Sequence, residues 1–314
     1  MQRRQQLGRE EVTLKEKLAE HYAKRDFQAK KQSASTVGVS FSVGMMVTLA
    51  IEGLTVLIPS YYVDRSTGQY TSFFYIAECI VIWLFLEAVG NWWLTYYDVL
   101  NRVTKETKDL HFPGHANTPP GWKNCVTCML DAPPRSHHCT LCNHCILKRD
   151  HHCFFTGSCV GYHNQRHFFI FCIYIVLASG SAAFMQISYL TAQFPLFTKE
   201  AVFYIPVVAI WQMITGATSF ANVFILIHLY LTIFCFGAGL FFLGWETLVI
   251  WRGQTSYEAW KQIMVYRQSS VFSNFYSVFG NPLNIMLCIL VPVRITSPGD
   301  GVKWAIQPKS EKGH

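Results

Sequence analysis

"CVTCMLDAPPRSHHCTLCNHCILKRDHHCFFTGSC" runs from Cys125 to Cys159. The chain has 11 cysteines, and this stretch holds Cys125, Cys128, Cys139, Cys142, Cys145, Cys153 and Cys159. Its spacing repeats. Cys125-x2-Cys128-x9-His138-x6-Cys145 is one string, and Cys139-x2-Cys142-x9-His152-x6-Cys159 is the same string displaced by 14 residues. Three thiolates and an imidazole are the ligand set of a closed tetrahedral structural zinc site, so two overlapping strings predict two interlocked sites. His137 and His151 carry the same displacement, so spacing alone leaves the histidine of each site open. A third copy needs a cysteine at 156, where Thr156 stands, and Cys153 is left over. A spare cysteine beside His151 and Asp150 is the pattern of an activated thiol with its base and orienting carboxylate. On spacing alone the alternative stays open that Cys153 replaces a histidine ligand and the segment only binds metal.

Outward from this stretch the chain is greasy. Of 314 residues, 51% are hydrophobic and 14% charged, against about 25% charged in an average soluble domain. Four apolar blocks cover 36–62, 72–97, 168–194 and 203–250, each long enough to span a bilayer. The first residues are polar, with no apolar run after the basic ones, and do not read as a secretory signal. Lys and Arg number 9 before the first block, 1 between the first and second, 8 before the third, 1 before the fourth and 7 after it. That alternation is the positive-inside pattern and speaks against nucleic-acid binding as the meaning of the +7 net charge. It places both termini and the central segment in the cytosol. A reducing cytosol favours metal or catalysis over disulfides. Cys79, Cys172, Cys235 and Cys288 lie in apolar segments and read as packing residues.

The expected organisation is an all-α polytopic membrane protein whose cytosolic Cys/His domain is made of short hairpins and loops. A basic, amphipathic N-terminal segment (1–35) precedes spans at 36–62 and 72–97. A cytosolic linker and zinc domain occupy 98–167, with its core at 125–159. The third span is 168–194. The fourth block is too long for one crossing, so 195–218 reads as a luminal loop with an interfacial helix begun by Pro206, and 219–246 as the span. The tail (247–314) contains an apolar run, "NPLNIMLCILVPV", too short to cross and expected on the membrane surface. Intramembrane Glu78, Glu87, Asn91 and His228 are polar exceptions.

The same stretch, with Asn164 and Phe168 after it, resembles the cysteine-rich domain of the DHHC protein S-acyltransferases. "TSYE" (Thr255 to Glu258) resembles the family's TTxE motif. "SNFYSVFGNP" through "SPGDGVKW" resembles its C-terminal motif, with Asn274 at the polar anchor. The resemblance implies His138 and His152 as zinc ligands and His151, paired with Asp150, as the base for Cys153. It implies two structural zinc ions. It also implies transfer of a palmitoyl-type group from acyl-CoA, through acyl-Cys153, to cysteines of membrane-associated proteins at the Golgi or endoplasmic reticulum. Arg135, His137, Phe155 and Ser256 are its candidate CoA contacts, and Lys148 and Arg149 stand nearby. The sequence departs from the pattern at Phe154-Phe155, in place of Pro-Trp, and at Ser158, Ala132 and Ser256. Those departures motivate the alternative of a catalytically impaired, membrane-tethered zinc scaffold. A transporter is the third reading, set aside because the chain shows neither paired intramembrane charges nor repeats.

Overall fold

The structure is a computed structural model. It describes residues 2–64, 66–97, 99–114 and 117–306, with side chains in the first helix at 23 and from 25 onward. The side chains of the basic segment before that point, and the tail beyond 306, lie outside the described residues.

Helix α1 (Gln2–Glu52) continues through a π turn (Gly53–Leu57) into α2 (Ile58–Tyr62). Pro59 lies in the first turn of α2 and has no N–H for the turn before it, which widens there. Helices α3 (Ser72–Tyr96), α5 (Gln165–Gln193) and α7 (Phe220–Arg252) follow the apolar blocks. The short α4 (Lys105–His111) lies between α3 and the Cys/His region. Among the described residues four helices are long and apolar enough to cross a membrane: Arg25–Tyr62, Ser72–Tyr96, Gln165–Gln193 and Phe220–Arg252. They fit a multi-pass membrane protein. The fourth runs six residues past the expected 246, because nothing stops it before Gly253, whose φ of 66° forms a left-handed cap. Helix α5 packs against both α3 and α7. Helix α6 (Pro206–Ile214), with Pro206 in its first turn, precedes α7.

Between α4 and α5 stand three two-stranded hairpins: β1–β2 (Lys123–Cys125, Leu130–Ala132), β3–β4 (His137–Cys139, His144–Ile146) and β5–β6 (His151–Cys153, Ser158–Val160). Each starts 14 residues after the last, so the ligand repeat of the sequence is a repeat of backbone. The tight turns place Met129, Asn143 and Gly157 at φ 52°, 57° and 65°, again 14 apart. At Gly157 a Cβ would also stand 2.7 Å from Val39 Cγ2, so α1 can lie against the third hairpin only because that residue is glycine.

After α7 the chain forms α8 (Ser256–Trp260), α9 (Val271–Phe279) and α10 (Pro282–Leu290). The apolar run expected on the surface is wedged in deeper. Trp83 Nε1 donates to Leu290 O at 3.4 Å, and Tyr174 hydroxyl donates to Ile289 O. These partners are nine or more residues inside the ends of α3 and α5. The chain then returns, with Arg294 donating to Tyr97 O at 2.8 Å.

Candidate active site and metal centres

Each ligand quartet assembles from adjacent hairpins. Cys125, Cys128, His138 and Cys145 bring their donor atoms within 4.8 Å of one another, as do Cys139, Cys142, His152 and Cys159. Tetrahedral zinc with Zn–S near 2.3 Å sets neighbouring sulfurs about 3.8 Å apart. Cys145 and Cys128 sulfurs are 3.8 Å apart, and those of Cys142 and Cys159 3.7 Å. His138 Nδ1 approaches Cys128 at 3.1 Å, and His152 Nδ1 approaches Cys142 at 3.3 Å. The donor sets and their spacing fit zinc. His152 turns its other nitrogen toward the Ser35 hydroxyl of α1 at 3.5 Å, the outer contact that fixes a ligating ring.

Cys153 belongs to neither quartet. It ends strand β5 as Cys125 ends β1 and Cys139 ends β3. In the second hairpin Cys142 N–H reaches back to Cys139 sulfur at 3.4 Å. The matching residue of the third hairpin is Thr156, whose backbone and hydroxyl both stabilise the Cys153 thiolate. The third hairpin thus repeats the metal-knuckle backbone with Cys153 at the first cysteine position and Thr156 at the second, while its His152 and Cys159 serve the second quartet.

His151 stands between that sulfur and Asp150. Its Nδ1 donates to Asp150 Oδ2 at 2.7 Å, and its Nε2 has no other hydrogen-bond partner among the described residues. Burial alone would raise the Cys153 thiol, but the His151 ring and Thr156 pull it below its ordinary value. Burial opposes charge on His151 as well, and Asp150 and Cys153 together raise it well above the usual imidazole range. Asp150, although buried, is held below its usual value by His151 and Ser256. All three shifts favour a thiolate–imidazolium–carboxylate row.

The TSYE stretch explains how Asp150 is held. Thr255 caps α8, and its own N–H donates to Glu258 Oε2 at 2.9 Å, closing a capping box. Ser256 N–H and hydroxyl then donate to the two oxygens of Asp150, both at 2.6 Å. Trp245 Nε1 donates to the same hydroxyl at 2.7 Å. Glu258 also takes two hydrogen bonds from Arg135, both 2.7 Å. Arg135 donates further to Gly253 O at 3.1 Å and lies over the Tyr266 and Trp304 rings.

The other candidate CoA contacts divide. Ser256 and Arg135 face inward, onto Asp150 and Glu258. His137 packs on Tyr257, with ring centroids 4.0 Å apart. Lys148 is buried and donates to Gln165 Oε1 at 2.9 Å; burial, with Arg135 nearby, pushes it down to about 7. Phe155 lies between Phe41 and Phe242 in the wall of an apolar cavity. That cavity, about 130 Å³, runs among all four long helices and includes Cys153 in its lining.

The loop is pinned from several sides. Trp92 Nε1 donates to Phe155 O at 3.0 Å, and Ser158 hydroxyl to Thr95 O at 2.9 Å. Asn164 Nδ2 bonds Thr95 O and Cys159 O, both at 3.0 Å. Sequence reasoning passed over Glu246, a fully buried carboxylate of α7 that faces His151; its signal was a lone acid in a 33-residue apolar helix. Of the intramembrane candidates, Asn91 Nδ2 donates to Glu87 Oε2 at 3.1 Å and His228 bonds Glu52.

Comparison with known proteins agrees with this geometry. The sequence model of the DHHC palmitoyltransferase family matches residues 119–263. Palmitoyltransferase ZDHHC22 of Rattus norvegicus is 34% identical over 138 residues, which cover 42% of this chain and 50% of that protein. Its Mus musculus counterpart is 30% identical over 138 residues with the same coverage. The chain thus spans about half the length of the curated relatives it matches. The matched region takes in all three hairpins, α5, α7 and the α8 capping box, so residues 119–263 are similar to a DHHC palmitoyltransferase domain.

Proposed function

We propose that the chain is a protein-cysteine S-acyltransferase, in which Cys153 accepts a long-chain acyl group from acyl-CoA and passes it to a cysteine of a membrane-associated protein. One observation carries this reading: a thiol outside both metal quartets, beside an Asp150–His151 pair, lies in the wall of a cavity built from apolar helices. In the first step the Cys153 thiolate, whose proton His151 Nε2 already holds, attacks the thioester carbonyl. The bond from the acyl carbon to CoA sulfur breaks, and CoA leaves with that proton. In the second step the substrate cysteine gives its proton to His151, its sulfur takes the acyl carbon, and Cys153 departs as thiolate. A thioester is exchanged for a thioester, so positioning and a poised thiolate supply the catalysis.

The cavity receives the acyl tail, at about 0.8 kcal/mol per buried methylene. Zinc in the closed quartets would supply folding free energy and no activated water. The alternation of basic residues supports cytosolic termini and a cytosolic hairpin domain; the family resemblance adds a Golgi or endoplasmic reticulum membrane, with the bilayer and cytosolic cysteines as partners. Arg135 and Ser256 serve to hold Asp150 and the tail.

Intact mass spectrometry after incubation with palmitoyl-CoA tests the reading. Wild type should gain one palmitoyl mass that hydroxylamine removes, and Cys153→Ser should gain none. A wild-type chain that carries two zinc ions and takes no acyl group would instead be a scaffold.

A further inference from the structure

His151 faces two carboxylates. Asp150 makes the hydrogen bond, and Glu246 Oε1 stands 3.9 Å from the same Nδ1 atom. Glu246 is fully buried, and Oε1 has no hydrogen-bond partner among the described residues. Its other oxygen, Oε2, accepts from Gln165 Nε2 at 3.1 Å. Lys148 decides which end of that amide meets Glu246. Its Nζ donates to Gln165 Oε1 at 2.9 Å, which turns the amide nitrogen toward Glu246. The carboxylate is fixed by one oxygen, and the free one is aimed at the ring. An uncompensated buried carboxylate oxygen is unfavourable unless a nearby positive charge compensates it. Lys148 is engaged at Gln165 and Arg135 at Glu258, which leaves His151 as the cation facing Oε1.

We infer that Glu246 is a positioning residue for His151, a second carboxylate that holds the ring's Nδ1 edge toward Asp150 and meets the positive charge the ring carries while it holds the Cys153 proton. The inference rests on the acyltransferase reading of Cys153 and His151. Lys148 and Gln165 belong to the same device, because they set the orientation of the carboxylate. A glutamine at 246 could still accept from Gln165 through its oxygen, so packing is kept. Its amide nitrogen would then face Nδ1–H, donor against donor.

The test is Cys153 autoacylation by palmitoyl-CoA in the detergent-solubilised full chain, comparing wild type, Glu246→Gln and Glu246→Asp. Glu246→Gln should lower kcat about tenfold or more, with KM for palmitoyl-CoA, zinc content and thermal midpoint unchanged. Glu246→Asp, which keeps the charge and draws it back by one methylene, should recover part of the loss. A Glu246→Gln rate equal to wild type overturns the inference, and so does a loss that appears in KM alone. If Glu246→Gln loses zinc or folding, Glu246→Leu decides: a folded leucine variant with wild-type kcat overturns the inference, and a kcat loss of about tenfold at constant KM upholds it. Wild-type protein that takes no acyl group overturns the acyltransferase reading and this inference together, whereas an acylating wild type matched by Glu246→Gln overturns this one alone.

Discussion

Cys153 occupies in the third hairpin the place that Cys139 occupies in the second, 14 residues earlier. Cys139 has Cys142, His152 and Cys159 around it; Cys153 has Thr156 and His151. A metal knuckle already turns backbone N–H groups toward sulfur, which suits a thiolate whether or not a cation is present. With the other ligands missing, the sulfur keeps its stabilising backbone and gains a free lone pair. The same repeat that builds two metal centres can therefore also build a nucleophile.

Thr156 should matter in proportion to its hydroxyl. It is fully buried, and its side chain stabilises the Cys153 thiolate. Thr156→Val keeps the shape and removes one hydrogen bond, worth about 1 kcal/mol, or roughly fivefold in rate. Alkylation of Cys153 by iodoacetamide at neutral pH should slow by that factor, with zinc content unchanged. Wild-type reactivity in the variant would show that the backbone N–H suffices.

Arg135 and Glu258 should behave as a unit. Both are buried and joined through two hydrogen bonds. Breaking one partner of such a pair costs about 3–5 kcal/mol, because the other charge stays buried alone. Glu258 is also half of the capping box that presents Ser256 to Asp150. Arg135→Met should expose the chain after Gly253 to protease and slow autoacylation. Arg135→Met combined with Glu258→Gln should be less damaging than the sum of the single changes. Strict additivity in thermal midpoint would show that the pair is not coupled.

The spacing of seven cysteines made the two quartets and the spare thiol visible from the chain alone, because ligand geometry translates directly into sequence distance. The four apolar helices were visible for a similar reason: bilayer thickness sets helix length. The histidine of each quartet was not legible from spacing, since neighbouring side chains on a strand point to opposite faces and only the folded hairpin shows which face holds sulfur. Here Nδ1 of His138 and His152 faces the sulfurs, and Nδ1 of His151 faces Asp150. Arg135 reads as a CoA contact by motif position and Ser256 is a further candidate; in the fold Arg135 bonds Glu258 and Ser256 bonds Asp150, partners from distant segments that motif position does not reveal. Glu246 lies 95 residues from His151 and shares no motif with it. The depth of α10 also depended on contacts with Trp83 and Tyr174 that no local pattern announces.

Removing metal should unfold the hairpins and spare the helices. The three hairpins are pairs of three-residue strands, too short to be stable alone, and structural zinc supplies folding free energy directly. Chelation should open 125–159 to protease and abolish autoacylation. The helical circular dichroism of α1, α3, α5 and α7 should persist. A cleavage pattern indifferent to chelator would mean that packing against α1 and α3 holds the hairpins by itself.

The cavity should act as a ruler for the acyl chain. Phe168 and Ala182 both line it, 14 residues apart on α5, or about 21 Å along the helix axis. A sixteen-carbon chain thioesterified at Cys153 would run from the Phe168 end toward Ala182, Gly53 and Leu57. Ala182→Leu should fill the far end and exclude about two methylenes, a loss of about 1.6 kcal/mol for the longer chain. Competition between myristoyl-CoA and palmitoyl-CoA should then shift roughly tenfold toward the shorter chain, while the total rate on myristoyl-CoA stays close to wild type. An unchanged ratio would mean that the acyl tail leaves the cavity before Ala182, through the lipid-facing side between two of the helices.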